Sequence, residues 1–398
     1  MQLNSQTYRL SDTGKVGTMA LAVGVIGIVG CAAGFYVDRT HFFHAYLVAF
    51  VFWVTLGLGG LFFTMLHHLV GADWSVVVRR ISECLMITLP LMAILFIPIA
   101  LGMHELYHWS HAGVADHDVL LKAKAPWLNT GWFFIRAGIY FSIWSVLAWM
   151  LYNASIKQDL SYDESRAQTM QRISAPGMLV FALSITFASY DWLMSLDPHW
   201  YSTIFGVYVF AGSFLAVLSF LAVIALSLRT QGVLADTIRL GHYADLGKLI
   251  FGFTVFWAYI AFSQYFLIWY GNIPEETIWY QHRWDGSWKY VSLFLAAGHF
   301  LVPFVVLITR EAKRNLFVLR AAAIWVLFMH WIDLYWLVLP NMPHAEGAAG
   351  VHFSWIDAAA MLAVGGVFFW FFWQRFTANA IVPVSDPRLE VSIRYTNA

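Results

Sequence analysis

Two cysteines in 398 residues, Cys31 and Cys84, fall in separate apolar stretches with no paired-Cys motif. That excludes a disulfide framework and leaves no iron–sulfur ligation pattern and no c-type haem attachment site. Charge is scarce as well: Asp, Glu, Lys and Arg make up 12% of the chain against 60% hydrophobic and 18% aromatic residues, far from a soluble globular balance. Formal net charge is zero, so nothing points to nucleic acid as a partner. What the chain has is apolar length. Ten stretches, at about 16–37, 43–70, 78–102, 130–156, 173–196, 201–229, 246–271, 287–309, 315–338 and 354–376, each approach the ~20 residues a helix needs to cross a bilayer. Only short loops separate them. The expected architecture is an all-α polytopic integral membrane protein, a single membrane domain over 1–398 with a short tail at 378–398 and no room for a soluble domain.

The placement of the few charges gives an orientation. Of the 23 Lys and Arg, 17 fall in the N-terminal arm, the even-to-odd loops and the tail, and 6 on the other side. Basic residues stay cytoplasmic in short loops, so both termini are expected in the cytoplasm, as an even number of spans requires. Ile28-Val29-Gly30-Cys31 resembles a lipoprotein processing site, but the polar arm before it is long. Span 1 is therefore read as a retained helix.

Spans 2–5 (43–196) and 6–9 (201–338) read as two copies of one four-helix unit. Span 5 ends Tyr190-Asp191-Trp192 with Pro198 seven residues after the Asp, and span 9 ends Ile332-Asp333-Leu334 with Pro340 at the same spacing. Span 4 carries Ala137-Gly138 where span 8 carries Ala297-Gly298. An even number of helices per copy makes these parallel repeats, with spans 1 and 10 flanking the two bundles.

Ionisable side chains in hydrocarbon cost at least ~2.5–3.5 kcal/mol on insertion scales, so each one inside a span is a candidate for function and should have a partner. Arg136 on span 4 and Asp191 on span 5 lie at matching depth on antiparallel neighbours. As a pair they would be either a helix clamp or one wall of a polar, quinone-binding pocket to which His104 also belongs. In the second unit Lys248, Tyr259, Gln264, His299, His330 and Asp333 would form an intermittent chain of protonatable groups; His330 and Asp333 share one helix face. A buried His that simply packs is the plainer reading of each one alone. Glu83, one turn into span 3, is either a proton-uptake group or a side chain that snorkels to the surface beside Arg79 and Arg80.

His104-Glu105-Leu106-Tyr107-His108 matches the H-E-x-x-H zinc pattern, in which two His on one helix face hold the metal and the Glu activates water. His111, Asp116, His117, Asp191 and Asp197 are candidate third ligands. The alternative is interfacial anchoring, with Trp109 in the aromatic belt. No metal is expected in this chain, and an intramembrane zinc protease built on His104 and His108 stays an alternative.

Two segments carry a family resemblance: Ala188-Ser189-Tyr190-Asp191-Trp192-Leu193-Met194-Ser195-Leu196-Asp197-Pro198 leading to Trp200-Tyr201-Ser202-Thr203, and the tail Pro383-Val384-Ser385-Asp386-Pro387-Arg388-Leu389-Glu390. Both resemble the F subunit of bacterial alternative complex III, within the wider NrfD/PsrC-like group of quinone-reactive membrane proteins. The resemblance covers essentially the whole chain, and Asp191 lies inside its specific motif. It implies a respiratory quinol:electron-acceptor (cytochrome c) oxidoreductase in the bacterial inner membrane. It further implies a homologous quinol-binding membrane subunit as partner, with haem c and iron–sulfur clusters held by partner subunits and none by this chain. Quinone binding follows from kinship of fold, and proton conduction from the polar interior. A secondary solute transporter is the other class that parallel repeats and midplane charges suit; against it, no span looks broken by Gly or Pro beside a charge.

Overall fold

The computed structural model describes residues 2–4, 7–161, 163–343 and 350–396. Among them, ten helical spans are long and apolar enough to cross a membrane: Val16–Val37, Arg39–Leu69, Val76–Leu101, Thr130–Leu160, Ser165–Leu196, Phe205–Thr230, Leu240–Gly271, Trp288–Leu307, Leu316–Asn341 and Trp355–Ala378. Their order matches the ten apolar stretches. Spans 2, 5 and 7 begin several residues earlier than hydropathy suggests, because capping sets the start. Asp38 accepts from His41 N at 2.9 Å, Asp163 from Ser165 N at 3.0 Å, and Arg239 N donates to His242 Nδ1 at 3.0 Å. Each satisfies a main-chain group that a helix end otherwise leaves open.

Spans 2 and 6 are apolar all round and lie at the centre, almost wholly enclosed. They pack on each other, and each also packs on spans 5 and 9. This reciprocal arrangement suits two parallel units. Spans 1 and 10 lie side by side, not on opposite flanks, and bear together on span 2. Their backbones touch: a Cβ on Gly27 would lie 2.2 Å from Ala363 N, and one on Gly366 would lie 2.3 Å from Gly24 N. Small residues allow such contact, which supplies packing where lipid gives no hydrophobic drive.

Two spans are interrupted, contrary to the expectation of unbroken helices beside the charges. Span 3 consists of Val76–Met86, Leu89–Leu95 and Ile97–Leu101, with Pro90 and Pro98 at the starts of the second and third pieces. Proline lacks the N–H that would continue the ladder. Span 8 widens into a π-helical turn at Ala296–Leu301, just before Pro303, and His299 sits in that turn.

Both chain ends meet on one side of the molecule, where Ile381 N donates to Tyr8 O at 2.9 Å. Beneath them a buried ionic network ties the tail to the first unit. Arg79 Nη2 donates to Asp386 Oδ2 at 2.5 Å and Arg79 Nε to Glu83 Oε1 at 3.1 Å, while Arg80 reaches Asp159 at 2.6 Å. Ser155 Oγ donates to Glu83 Oε2 at 2.8 Å. Glu83 therefore does not snorkel. It is fully enclosed, because two guanidinium groups and a hydroxyl replace the water it would otherwise seek. Burial works to raise the Asp386 carboxyl, but Arg79 outweighs it and holds the group down at about 2.

Candidate functional site

Asp191 ends span 5 and is completely buried. Asn129 caps span 4 by accepting from Trp132 N at 2.9 Å, which sets Arg136 about two turns into the helix, facing span 5. Arg136 then binds Asp191 through both forks: Nε to Oδ2 at 2.8 Å and Nη2 to Oδ1 at 2.8 Å. Tyr140, one turn further on, donates to Oδ2 at 2.8 Å, and Trp127 Nε1 donates to Oδ1 at 2.9 Å. The guanidinium also lies 4.1 Å from the centre of the Trp127 ring. Four donors and a matched cation leave this carboxylate no spare acceptor capacity, so it joins span 4, span 5 and the preceding loop as a clamp.

The H-E-x-x-H segment does not form the metal geometry its spacing suggests. Its helix stops at Leu106, Tyr107 is extended (φ −117°, ψ 105°), and His108 opens a separate turn. The two His therefore do not share a helix face. Glu105 is held by Arg39 Nε at 3.1 Å and Thr40 Oγ1 at 3.1 Å, and His104 Nδ1 lies 2.9 Å from Ser110 Oγ. Among the described residues, no three His, Cys, Asp or Glu side chains are grouped to hold a metal. The zinc-protease reading loses its geometric basis.

The second unit is built differently. Asp333 is buried on span 9 and accepts from the Tyr208 hydroxyl on span 6 and from Trp257 Nε1 on span 7 at 3.2 Å. Among the described residues no cation pairs with it. One turn away, His330 Nε2 lies 3.0 Å from Thr55 Oγ1 on span 2, and its Nδ1 has no hydrogen-bond partner. A Cβ on Gly212 would lie 3.3 Å from that Nδ1 and 3.7 Å from Asp333 Oδ2, so glycine keeps a shared space between the two groups. His299 stacks on Trp257 with ring centres 4.0 Å apart, and neither of its nitrogens has a partner. Buried polar atoms left in this way are costly and uncommon.

Beside this cluster opens a cavity of about 800 Å³, whose wall includes Tyr208, Trp257, Gln264, Tyr280, Arg283 and Trp336. Gln264 accepts from Ser202 Oγ at 2.9 Å and donates to the Tyr280 hydroxyl at 3.1 Å, which leaves the Tyr280 proton available to a ligand. Arg283 is sealed over the Trp279 ring at 3.4 Å and donates to the carbonyls of Trp279, Trp336 and Leu337 at 3.0, 3.2 and 2.9 Å. Burial pushes its guanidinium down to about 9. When Ala137-Gly138 is laid on Ala297-Gly298, the counterparts of Arg136 and Tyr140 are Ala296 and Phe300, and both line the cavity. Space stands where the first unit has its clamp.

The structure does not bring all the expected residues together. Arg136, Asp191 and His104 do not line this cavity. Lys248 is half exposed and bonded to Asp245 at 3.0 Å, away from the interior. Tyr259 is 66% exposed and faces outward at the cavity rim. Lys248 and Tyr259 therefore do not join the expected intermittent chain of protonatable groups. Gln264 lines the cavity, while Asp333, with His330 one turn away, and His299 lie behind Tyr208 and Trp257 of its wall. Sequence reasoning missed Tyr208, Trp257, Tyr280 and Arg283; in a chain with 20 Trp and 18 Tyr, aromatic residues in spans give no distinguishing signal.

These features define a polytopic all-α membrane protein with a large, aromatic-rich cavity beside a buried carboxylate and two buried histidines. The chain matches no protein-family model and no curated protein sequence.

Proposed function

We propose that this chain is a membrane subunit of a bacterial quinol:electron-acceptor (cytochrome c) oxidoreductase of the alternative complex III type. In this reading it receives a quinone ring in the second-unit cavity and contributes to proton movement. Quinol chemistry needs an apolar slot for ring and tail, hydrogen-bonding groups at the ring oxygens, and a centre that takes the electrons. The observation that carries the reading is the cavity of about 800 Å³ that ends on Tyr208 and Trp257, the two donors to Asp333. Tyr280 and Gln264 offer polar contacts to ring oxygens, while Phe262 and Phe300 offer apolar wall. Electron acceptance falls to partner subunits that carry iron–sulfur clusters and haem c. The 17-to-6 division of basic residues supports cytoplasmic termini, an orientation in which the Arg283 end of the cavity faces the periplasm.

Purification under mild detergent tests this reading. Copurification with multihaem and iron–sulfur subunits, together with quinol-dependent reduction of their centres, is the expected result. A chain that purifies alone and moves a solute in vesicles would establish the second reading, a secondary transporter, which the broken spans 3 and 8 favour.

A further inference from the structure

Tyr208 belongs to two environments at once. Its ring lines the cavity, and its hydroxyl proton is committed to Asp333, which itself is absent from the cavity wall. Two residues of that wall, Tyr208 and Trp257, join the cavity to the buried carboxylate. Trp257 carries an indole N–H, a donor with no acceptor lone pair, so it cannot pass a proton on. Tyr208 both donates and accepts.

We propose that Tyr208 is the acid–base bridge of the cavity: its oxygen accepts the proton of a ligand hydroxyl while its own proton moves to Asp333 Oδ1. This rests on the reading of the cavity as a quinol site. Bonds balance in the step. The ligand O–H and the original Tyr208 O–H break, a new Tyr208 O–H and an Asp333 O–H form, and one negative charge moves from the carboxylate to the ligand oxygen. No electron is transferred in it. That no cation among the described residues pairs with Asp333 suits this role, because an arginine forked onto both oxygens, as at Asp191, would compete with the incoming proton.

The test uses the purified full-length chain and a short-chain naphthoquinol, with binding followed by calorimetry and carboxyl protonation by infrared difference spectroscopy. The wild type is expected to bind and to show a new protonated-carboxyl band that vanishes in Asp333→Asn. Tyr208→Phe keeps the ring and should hold affinity within about threefold, the scale of one net hydrogen bond, yet lose the band. A band of wild-type size in Tyr208→Phe overturns the bridge and leaves the quinol site standing. Absence of binding to the wild type overturns the site and the bridge with it. Should Tyr208→Phe misfold, wild-type protein in which naphthoquinol binds and raises no carboxyl band overturns the bridge equally.

Discussion

Asp191 on span 5 and Asp333 on span 9 each stand seven residues ahead of a proline, yet one is locked by an arginine and the other, among the described residues, has only neutral donors. The first unit neutralises its buried charges at both membrane ends, with Arg136 on Asp191 and with Arg79 and Arg80 on Glu83, Asp159 and Asp386. In the second unit no cation among the described residues pairs with Asp333, and a cavity opens beside it. A buried charge with a forked partner is fixed in position and protonation. One without is expensive to keep, and here it lies behind the wall of a cavity. In the proposed reading the first half serves architecture and the second serves chemistry.

The largest expected effect lies in the architectural half. Arg136→Ala strands the Asp191 carboxylate and should lower stability by roughly 3–5 kcal/mol, seen as a fall in the detergent melting temperature. Adding Asp191→Asn should restore much of it. A melt unchanged by Arg136→Ala would end the clamp assignment. The tail contact comes next. Asp386 sits at about 2 when folded against 3.8 for the free group, so its stabilisation of about 2 kcal/mol is present above pH 4 and is lost as pH falls from 4 through 2. Acid unfolding of Asp386→Asn should show a correspondingly flatter profile in that window, and an identical profile would remove the tail from the stability account.

Asp333→Asn inverts the pattern. The amide oxygen still accepts from Tyr208 and no ion pair is broken, so stability should move by less than about 1 kcal/mol while quinol-dependent turnover drops tenfold or more. If the melt falls as far as in Arg136→Ala, the two halves are alike and the contrast fails. The smallest structural effect is expected from Ala296→Phe, which fills cavity space. Its melt should stay within about 0.5 kcal/mol of wild type while affinity for a quinol analogue weakens, as ligand titration would record. Full affinity in this variant would place the ring elsewhere.

Ten spans and their order were legible because ~20 apolar residues have few other uses. Arg136 and Asp191 could be matched because depth along antiparallel helices follows from counting. Rotation about each helix axis was not legible: Arg39–Leu69 and Phe205–Thr230 are apolar on every side, and span 7 shows no polar face that would have separated inward Trp257 from outward Tyr259. The same blindness placed Lys248 in a relay it does not join. The H-E-x-x-H spacing failed for a different reason, a helix end at Leu106 that no capping signal announced. The cavity was hidden because it is made by what Ala296 and its neighbours do not fill.

The glycine contact between spans 1 and 10 has a bearing on how the protein is made. Gly24 and Gly366 are roughly 340 residues apart, on the order of half a minute of synthesis at usual rates. Span 1 has most of its surface exposed and span 10 as its main neighbour, so once made it waits in lipid, its notched face unfilled, until span 10 arrives. Eight helices assemble before that seam closes. Span 1 is thus made before spans 2–9 and secured after them, and a nascent molecule halted before span 10 leaves the glycine face of span 1 open to lipid.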